Sequence, residues 1–163
     1  MPGSGKSTVI RKLAKLLDDR PGGFYTEEMR TRGERRGFRL VRFDGGEAII
    51  AHVDFPKTYR VGKYGVDVAA LDKASEDALA PRRGVSLYLV DEIGKMECLA
   101  ERFVARMRDL LDSSRTVIAT VASRGDGLIA EVKRREDCEV WALTRANRDA
   151  MPERVLRWIH DQK

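Results

Sequence analysis

The start of the chain combines closely spaced glycines with a lysine and two hydroxyl residues. Met1–Ser7 matches the last seven positions of the phosphate-binding pattern G-x-x-x-x-G-K-[ST], known as Walker A. In this pattern Lys6 reaches the β- and γ-phosphates of a nucleotide, and Ser7 offers its hydroxyl to Mg²⁺. The predicted phosphate-binding residues are Pro2, Gly3, Ser4, Gly5, Lys6, Ser7 and Thr8. The alternative interpretation is a glycine- and serine-rich terminal tail with a stray lysine.

Two adjacent carboxylates follow an apolar run in the second half of the chain. Leu87–Val90 is continuously apolar and leads directly into Asp91 and Glu92, which is the arrangement called Walker B. We expect Asp91 to hold Mg²⁺ and Glu92 to orient and deprotonate the attacking water as a general base. The alternative is a strand that simply ends in a solvated acidic turn.

The elements that would position these residues alternate between strand and helix. Apolar residues at helical spacing predict a helix directly after Lys6, as a phosphate-binding loop requires. Further strands are predicted at 22–28, 37–43, 47–53, 85–90, 116–121 and 139–144, with a loop over 54–65. Helices are predicted at 68–79, 99–111 and 128–135, with a last helix beginning at Pro152. The pattern predicts an α/β fold of three layers, with helices on both faces of a mostly parallel sheet and a β-hairpin insertion around Asp44–Gly46.

The first glycine of the Walker A pattern and the buried strand that leads into it would both precede Met1. We therefore expect the sheet of this chain to lack its first strand, which normally lies at the centre. The alternatives are that another segment or a second chain fills that place. A truncated form of this kind is expected to have weak or no activity.

Several further motifs occur in the order of a known family. They are DEIGKME at Asp91–Glu97, GFYTEEMR at Gly23–Arg30, RGF at Arg36–Phe38, VGKYGV at Val61–Val66 and NRD at Asn147–Asp149. Together they resemble the THEP-type nucleoside-triphosphatases. The resemblance implies Mg²⁺-dependent hydrolysis of ATP, GTP and other nucleoside triphosphates to the diphosphate and phosphate. It also implies a P-loop fold of the additional-strand type, in which another strand separates the Walker B strand from the P-loop strand.

The resemblance extends the predicted site beyond the two motifs. The second nucleotide-binding segment would comprise Leu87, Tyr88, Leu89, Val90, Asp91, Glu92, Ile93 and Gly94. Arg124 would stabilise transition-state charge, or is an ordinary surface arginine. Asn147 and Arg148 would contact the base, because arginine stacks on planar rings. Thr120 either senses the γ-phosphate or is an ordinary strand residue.

Length and composition limit the remaining possibilities. The 163 residues carry a net charge of +5 and suit one domain, residues 1–163, with a core of its own. Without a long apolar run or signal peptide, we expect a cytoplasmic monomer with no membrane partner. Two other functions stay open. One is a nucleotide or small-molecule kinase on the same core, and the other is a basic nucleic-acid-binding protein with a vestigial nucleotide site.

Overall fold

A seven-stranded mixed sheet forms the middle layer of the protein, in a computed structural model that describes residues 5–163. The strands are β1 (Gly22–Thr31), β2 (Glu34–Arg42), β3 (Glu47–His52), β4 (Arg60–Val61), β5 (Tyr64–Val66), β6 (Leu87–Ile93) and β7 (Thr116–Val121). Their order across the sheet is β4-β5-β3-β2-β1-β6-β7. Strands β1, β6 and β7 run parallel, while β1 to β5 pair antiparallel with one another. The antiparallel part is the hairpin insertion that the sequence predicts, extended by a short β4–β5 hairpin.

Helices cover both faces of this sheet. They are α1 (Lys6–Leu16), α2 (Val68–Leu79), α3 (Glu101–Leu111), α4 (Gly127–Arg134) and α5 (Met151–Asp161), with a short 3₁₀ helix at Glu97–Leu99. One apolar cluster joins α2, α3 and α4 to the sheet, and a second joins α1 and α5 to its other face. The three-layer α/β/α architecture is therefore confirmed. Among the described residues, no helix is both long and apolar enough to span a membrane.

Strand β6 is buried on both faces, as its unbroken apolar sequence predicts. Because successive side chains of a strand point to opposite faces, Tyr88 and Val90 enter the cluster beneath α2–α4, while Leu89 enters the α1/α5 cluster. All three side chains are fully buried. Beside them, Gly23 has φ of +94°, and a Cβ there would lie 1.9 Å from the backbone oxygen of Leu89. Glycine at this position lets β1 and β6 come together.

The parallel pairing between β1 and β6 is short. It covers Gly22 to Phe24 of β1, opposite Tyr88 to Val90 of β6. Strand β1 then continues to Thr31, where β2 is its one partner strand within residues 5–163. The β1–β2 hairpin therefore reaches past the carboxyl end of β6, where Asp91 and Glu92 lie.

A charged cluster fixes the β2–β3 turn at the opposite end of β2. The Asp44 carboxylate accepts hydrogen bonds from Arg42 at 2.6 and 2.8 Å and pairs with Arg82 at 2.5 Å. Hydrogen bonds from Arg42, together with Arg82, hold the pKa of Asp44 well below its usual range, although burial opposes the shift. Since Arg82 follows α2, the cluster ties the hairpin to the helix layer.

The predicted strand at 139–144 is wrong. These residues join no sheet within the described chain, because a strand exists only where a neighbour supplies backbone donors and acceptors. On the edge away from β6, β7 pairs with no strand of residues 5–163. Trp141 and Leu143 instead pack against the α1/α5 cluster. The ring of Trp141 meets that of Trp158 edge-on at 6.4 Å, and Arg154 covers its face at 4.5 Å.

Candidate active site

The backbone N–H groups at the start of α1 form one side of the candidate phosphate site. Gly5 precedes the helix with φ of +85° and ψ of 13°, a left-handed conformation that suits glycine. Within the described chain no side chain caps this end, and the first turn contains no acidic residue. The N–H groups of the first turn and the positive end of the helix dipole are thus available to an anion. Pro2, Gly3 and Ser4 lie outside the described residues.

Asp91 lies at the carboxyl end of β6 and is 2 % exposed. Its Oδ1 accepts a hydrogen bond of 2.8 Å from the Thr120 hydroxyl. Burial raises the pKa of Asp91, while Ser7, Thr120 and the N–H of Thr26 act in the opposite direction. Although Ser7 is close enough to have this effect, Oδ2 accepts no hydrogen bond of good geometry from residues 5–163. A buried carboxylate oxygen without a partner is the kind of ligand that Mg²⁺ accepts.

Lys6 and Glu92 form an ion pair in this structure. The Lys6 Nζ lies 2.7 Å from Glu92 Oε2 and 3.4 Å from the backbone oxygen of Val121. The two side chains are 18 % and 30 % exposed. Burial acts to lower the pKa of Lys6, but the hydrogen bond to Glu92 and the charges of Glu92 and Asp91 act together in the opposite direction, and the pKa is raised. The Walker A lysine and the predicted general base, far apart in sequence, are therefore direct neighbours.

The remaining Walker B residues support this site from within the sheet. Tyr88, Leu89 and Val90 are fully buried and Ile93 nearly so. The Tyr88 hydroxyl donates to the Ala80 oxygen at 2.9 Å and accepts from the Arg82 N–H at 3.0 Å. These residues anchor the strand, and Glu92 near its carboxyl end pairs with Lys6. The predicted contacts of Leu87–Gly94 with a nucleotide stay a prediction.

Arg124 lies in the exposed loop between β7 and α4. Within the described chain its side chain makes no hydrogen bond or ion pair, so its predicted catalytic role stays a prediction. The loop itself is held by Lys133, which donates to the backbone oxygens of Ala122 at 2.7 Å and Ser123 at 3.0 Å. Sequence reasoning missed Lys133, because a lysine at the end of a short helix carries no motif.

Asn147 and Arg148 are placed differently from one another. The Asn147 side chain accepts from the Thr144 N–H and donates to the Ala142 oxygen, both at 2.8 Å, and so folds the local loop. Arg148 lines a cavity of about 320 Å³ together with Gly5, Thr8, Val9, Lys12 and Asp149. Its Cδ would lie 3.4 Å from a Cβ on Gly5. Arg148 and Asp149 of the NRD motif thus lie beside the start of α1, whereas Asn147 holds its own loop.

Glu97 is a second buried acid near Glu92 that sequence reasoning did not single out. It is 4 % exposed, and burial raises its pKa to about 8, with the charges of Glu92 and Asp91 adding to the shift. The available signal was its position as the last residue of the DEIGKME motif. Among the described residues, no group of three or more His, Cys, Asp or Glu side chains forms a metal-binding cluster. Mg²⁺ bound with substrate phosphates requires only one or two carboxylates.

Comparison with known proteins identifies the family of this chain. A family model described as NTPase matches residues 1–156. The nucleoside-triphosphatase THEP1 of Thermotoga maritima is 40 % identical over 95 % of this chain and 89 % of its own. The cancer-related nucleoside-triphosphatase homolog of Bos taurus is 31 % identical over 99 % and 95 %.

Two solved structures share the fold over nearly their whole length. The crystal structure of THEP1 from Aquifex aeolicus has a TM-score of 0.79 and 34 % identity, over 96 % of this chain and 94 % of that one. The solution structure of a human cancer-related nucleoside triphosphatase has a TM-score of 0.84 and 29 % identity, over 100 % and 95 %. The chain therefore belongs to the NTPase family that includes THEP1, and it is an enzyme that hydrolyses nucleoside triphosphates.

Proposed function

We propose that this protein is an Mg²⁺-dependent nucleoside-triphosphatase that releases the diphosphate and inorganic phosphate, with Glu92 as the general base. The observation that carries the proposal is the meeting of three groups at one end of β6. These are Asp91 Oδ2, which accepts no hydrogen bond from residues 5–163, the Glu92 carboxylate and the Lys6 ammonium group. Hydrolysis needs a ligand for the metal, a base for the attacking water and a cation for the γ-phosphate. Asp91, Glu92 and Lys6, in that order, have the chemistry for these three roles.

Asp91 and Ser7 would hold the magnesium ion. The fit is supported by the buried Oδ2 of Asp91, which lacks a hydrogen-bond partner among residues 5–163, and by the Ser7 side chain beside it. When bound, Mg²⁺ neutralises part of the charge on the β- and γ-phosphates. The Thr120 hydroxyl fixes the other oxygen of Asp91 and so sets the orientation of the carboxylate.

Lys6 and Glu92 would change partners when the nucleotide binds. The γ-phosphate carries more negative charge than one carboxylate, and the amides at the start of α1 hold it close to Lys6. Lys6 therefore moves its hydrogen bond from Glu92 to the phosphate oxygens. Glu92 is then free to accept a proton from the attacking water, which adds to the γ-phosphorus as the bond to the diphosphate oxygen breaks.

Arg148 and Arg124 would complete the site from two loops. The cavity between Arg148 and α1 opens beside Gly5 and Thr8, and a guanidinium group there can stack on the base. Such stacking favours no particular base, which supports the use of several triphosphates. Arg124 is exposed and is proposed to contribute positive charge in the transition state.

Measurement of phosphate and diphosphate release tests this function. The full chain is incubated with ATP or GTP, with Mg²⁺ or with EDTA, and with or without nucleoside and nucleotide acceptors. We expect equal amounts of diphosphate and phosphate, no need for an acceptor, and loss of turnover in EDTA. Lys6→Ala should abolish turnover, while Lys15→Ala, an exposed lysine of the same helix, should not. Turnover that requires an acceptor and releases no phosphate would identify a kinase instead.

A further inference from the structure

Glu97 is a buried acid that forms no ion pair with any cationic group of residues 5–163. Glu97 and Asp91 are the two acidic residues of the described chain that are buried, and Asp91 has a proposed role in binding metal. None of the ion pairs formed within residues 5–163 includes Glu97. A carboxylate removed from water costs several kcal/mol unless it is paired or protonated, so its retention here requires an explanation.

The carboxyl group of Glu97 borders the same small volume as that of Glu92. The two residues lie on either side of Gly94 in sequence, where β6 ends and the 3₁₀ helix begins. A Cβ on Gly94 would lie 2.8 Å from Glu92 Oε1 and 2.9 Å from Glu97 Oε1. The two oxygens are therefore within roughly 6 Å of each other, a range in which carboxyl groups influence one another strongly.

The surroundings favour the neutral form of Glu97. Burial raises its pKa to about 8, the charges of Glu92 and Asp91 act in the same direction, and the N–H groups of Glu97 and Gly94 oppose the shift. The thiol of Cys98 offers no compensation, because burial raises its own pKa to about 11. Arg108 of α3 pairs with Glu131 at 3.0 Å, and the nearby Lys6 is engaged by Glu92.

We propose that Glu97 is a positioning residue for Glu92, whose uncharged carboxyl group fills the space beside Gly94 and keeps the Glu92 carboxylate directed at Lys6 and the phosphate site. The inference rests on the proposed role of Glu92 as the base. A neutral carboxyl group at this place limits the movement of the Glu92 side chain without adding a second negative charge near the phosphates. Ionised Glu97 would repel Glu92 and displace it, and a displacement of about 1 Å can cost about 100-fold in rate.

Two variants of Glu97 and a pH profile test this inference. Phosphate release by the full chain with MgATP is measured from pH 6 to 9.5 for wild type, Glu97→Gln and Glu97→Ala. We expect the kcat of wild type to decline above about pH 8, as Glu97 ionises. Glu97→Gln preserves the shape and cannot ionise, so it should keep kcat at pH 7 within about threefold and lack this decline. Glu97→Ala should lower kcat by about tenfold to 100-fold, with KM for ATP changed by less than about threefold.

Several outcomes would overturn the inference. One is an unchanged kcat in Glu97→Ala, and another is the same alkaline decline in Glu97→Gln as in wild type. Should Glu97→Ala not fold, as thermal melting would show, the pH profile of Glu97→Gln decides alone. Glu92→Gln is measured in parallel. Full activity of that variant would refute the proposed function itself, whereas loss of its activity with normal Glu97 variants refutes only the role of Glu97.

Discussion

Replacing Glu92 with glutamine should tighten the binding of a nucleoside triphosphate and slow its hydrolysis. The ion pair between Lys6 and Glu92 spans 2.7 Å, with side chains 18 % and 30 % exposed. A charge-assisted hydrogen bond contributes about 1.5–3 kcal/mol, and partial exposure places this one near the lower limit. In the free protein, Glu92 competes with ATP for the hydrogen bonds of Lys6. Glutamine is a neutral and weaker acceptor, so the free energy of its interaction with Lys6 should be about 1 kcal/mol less favourable. We therefore expect about fivefold tighter binding of metal-free ATP.

The hydrolytic rate should change in the opposite direction and by far more. Loss of a general base lowers kcat by about 100-fold to 10,000-fold. Calorimetric titration with ATP in EDTA gives the affinity, and phosphate release with Mg²⁺ gives kcat. Glu136→Gln is the matched control, because it removes one negative charge from an exposed residue and should alter neither quantity. Weaker binding by Glu92→Gln would refute competition between Glu92 and the nucleotide for Lys6, and an unchanged kcat would refute its role as base.

Three predictions concern the stability of the fold. Asp44→Asn should lower the free energy of unfolding by about 1–3 kcal/mol at pH 7. Because the pKa of Asp44 is lowered in the fold, its contribution exists above the unfolded pKa of about 4 and declines as the pH falls below it. Urea denaturation at pH 7 and pH 3 checks this prediction. Asp54→Asn is the control, because the Asp54 side chain is 72 % exposed. Leu13→Ala, at a fully buried position of α1, should lower the free energy of unfolding by about 2–5 kcal/mol in the same denaturation experiment. Leu16 of the same helix is 43 % exposed, so Leu16→Ala should lower it by less than about 1 kcal/mol. Gly23→Ala should lower the melting temperature by several degrees, since its Cβ would lie 1.9 Å from a backbone oxygen of β6; an unchanged melting temperature would contradict the close approach of β1 and β6.

Sequence reasoning succeeded where the signal is local. The amphipathic spacing around Leu13 predicts α1, and the apolar run before Asp91 predicts the buried strand β6. Both motifs also imply where the site must be, because Walker A begins a helix and Walker B ends a strand. The adjacency of Lys6 and Glu92 follows once both lie at the same end of the sheet.

Sequence reasoning failed where the structure depends on contacts between residues that are distant in sequence. Residues 139–144 have the composition of a strand, yet strand formation depends on a paired neighbour that the segment lacks within the described chain. The strands β4 and β5 were missed since they have two and three residues, too few for any alternation to be visible. The burial of Glu97 was also not predictable, because a glutamate in a polar motif gives no sign of which side of the turn it occupies.

The packing of Trp141 against Trp158 makes intrinsic tryptophan fluorescence a probe of one region of the molecule. The chain has two tryptophans, and both belong to this edge-on pair, so indole fluorescence originates from a single place. Trp158 belongs to α5, which begins just after Arg148 and Asp149 and packs against α1. Emission intensity and wavelength should therefore follow nucleotide entry beside Arg148 in real time, without a dye or an engineered label.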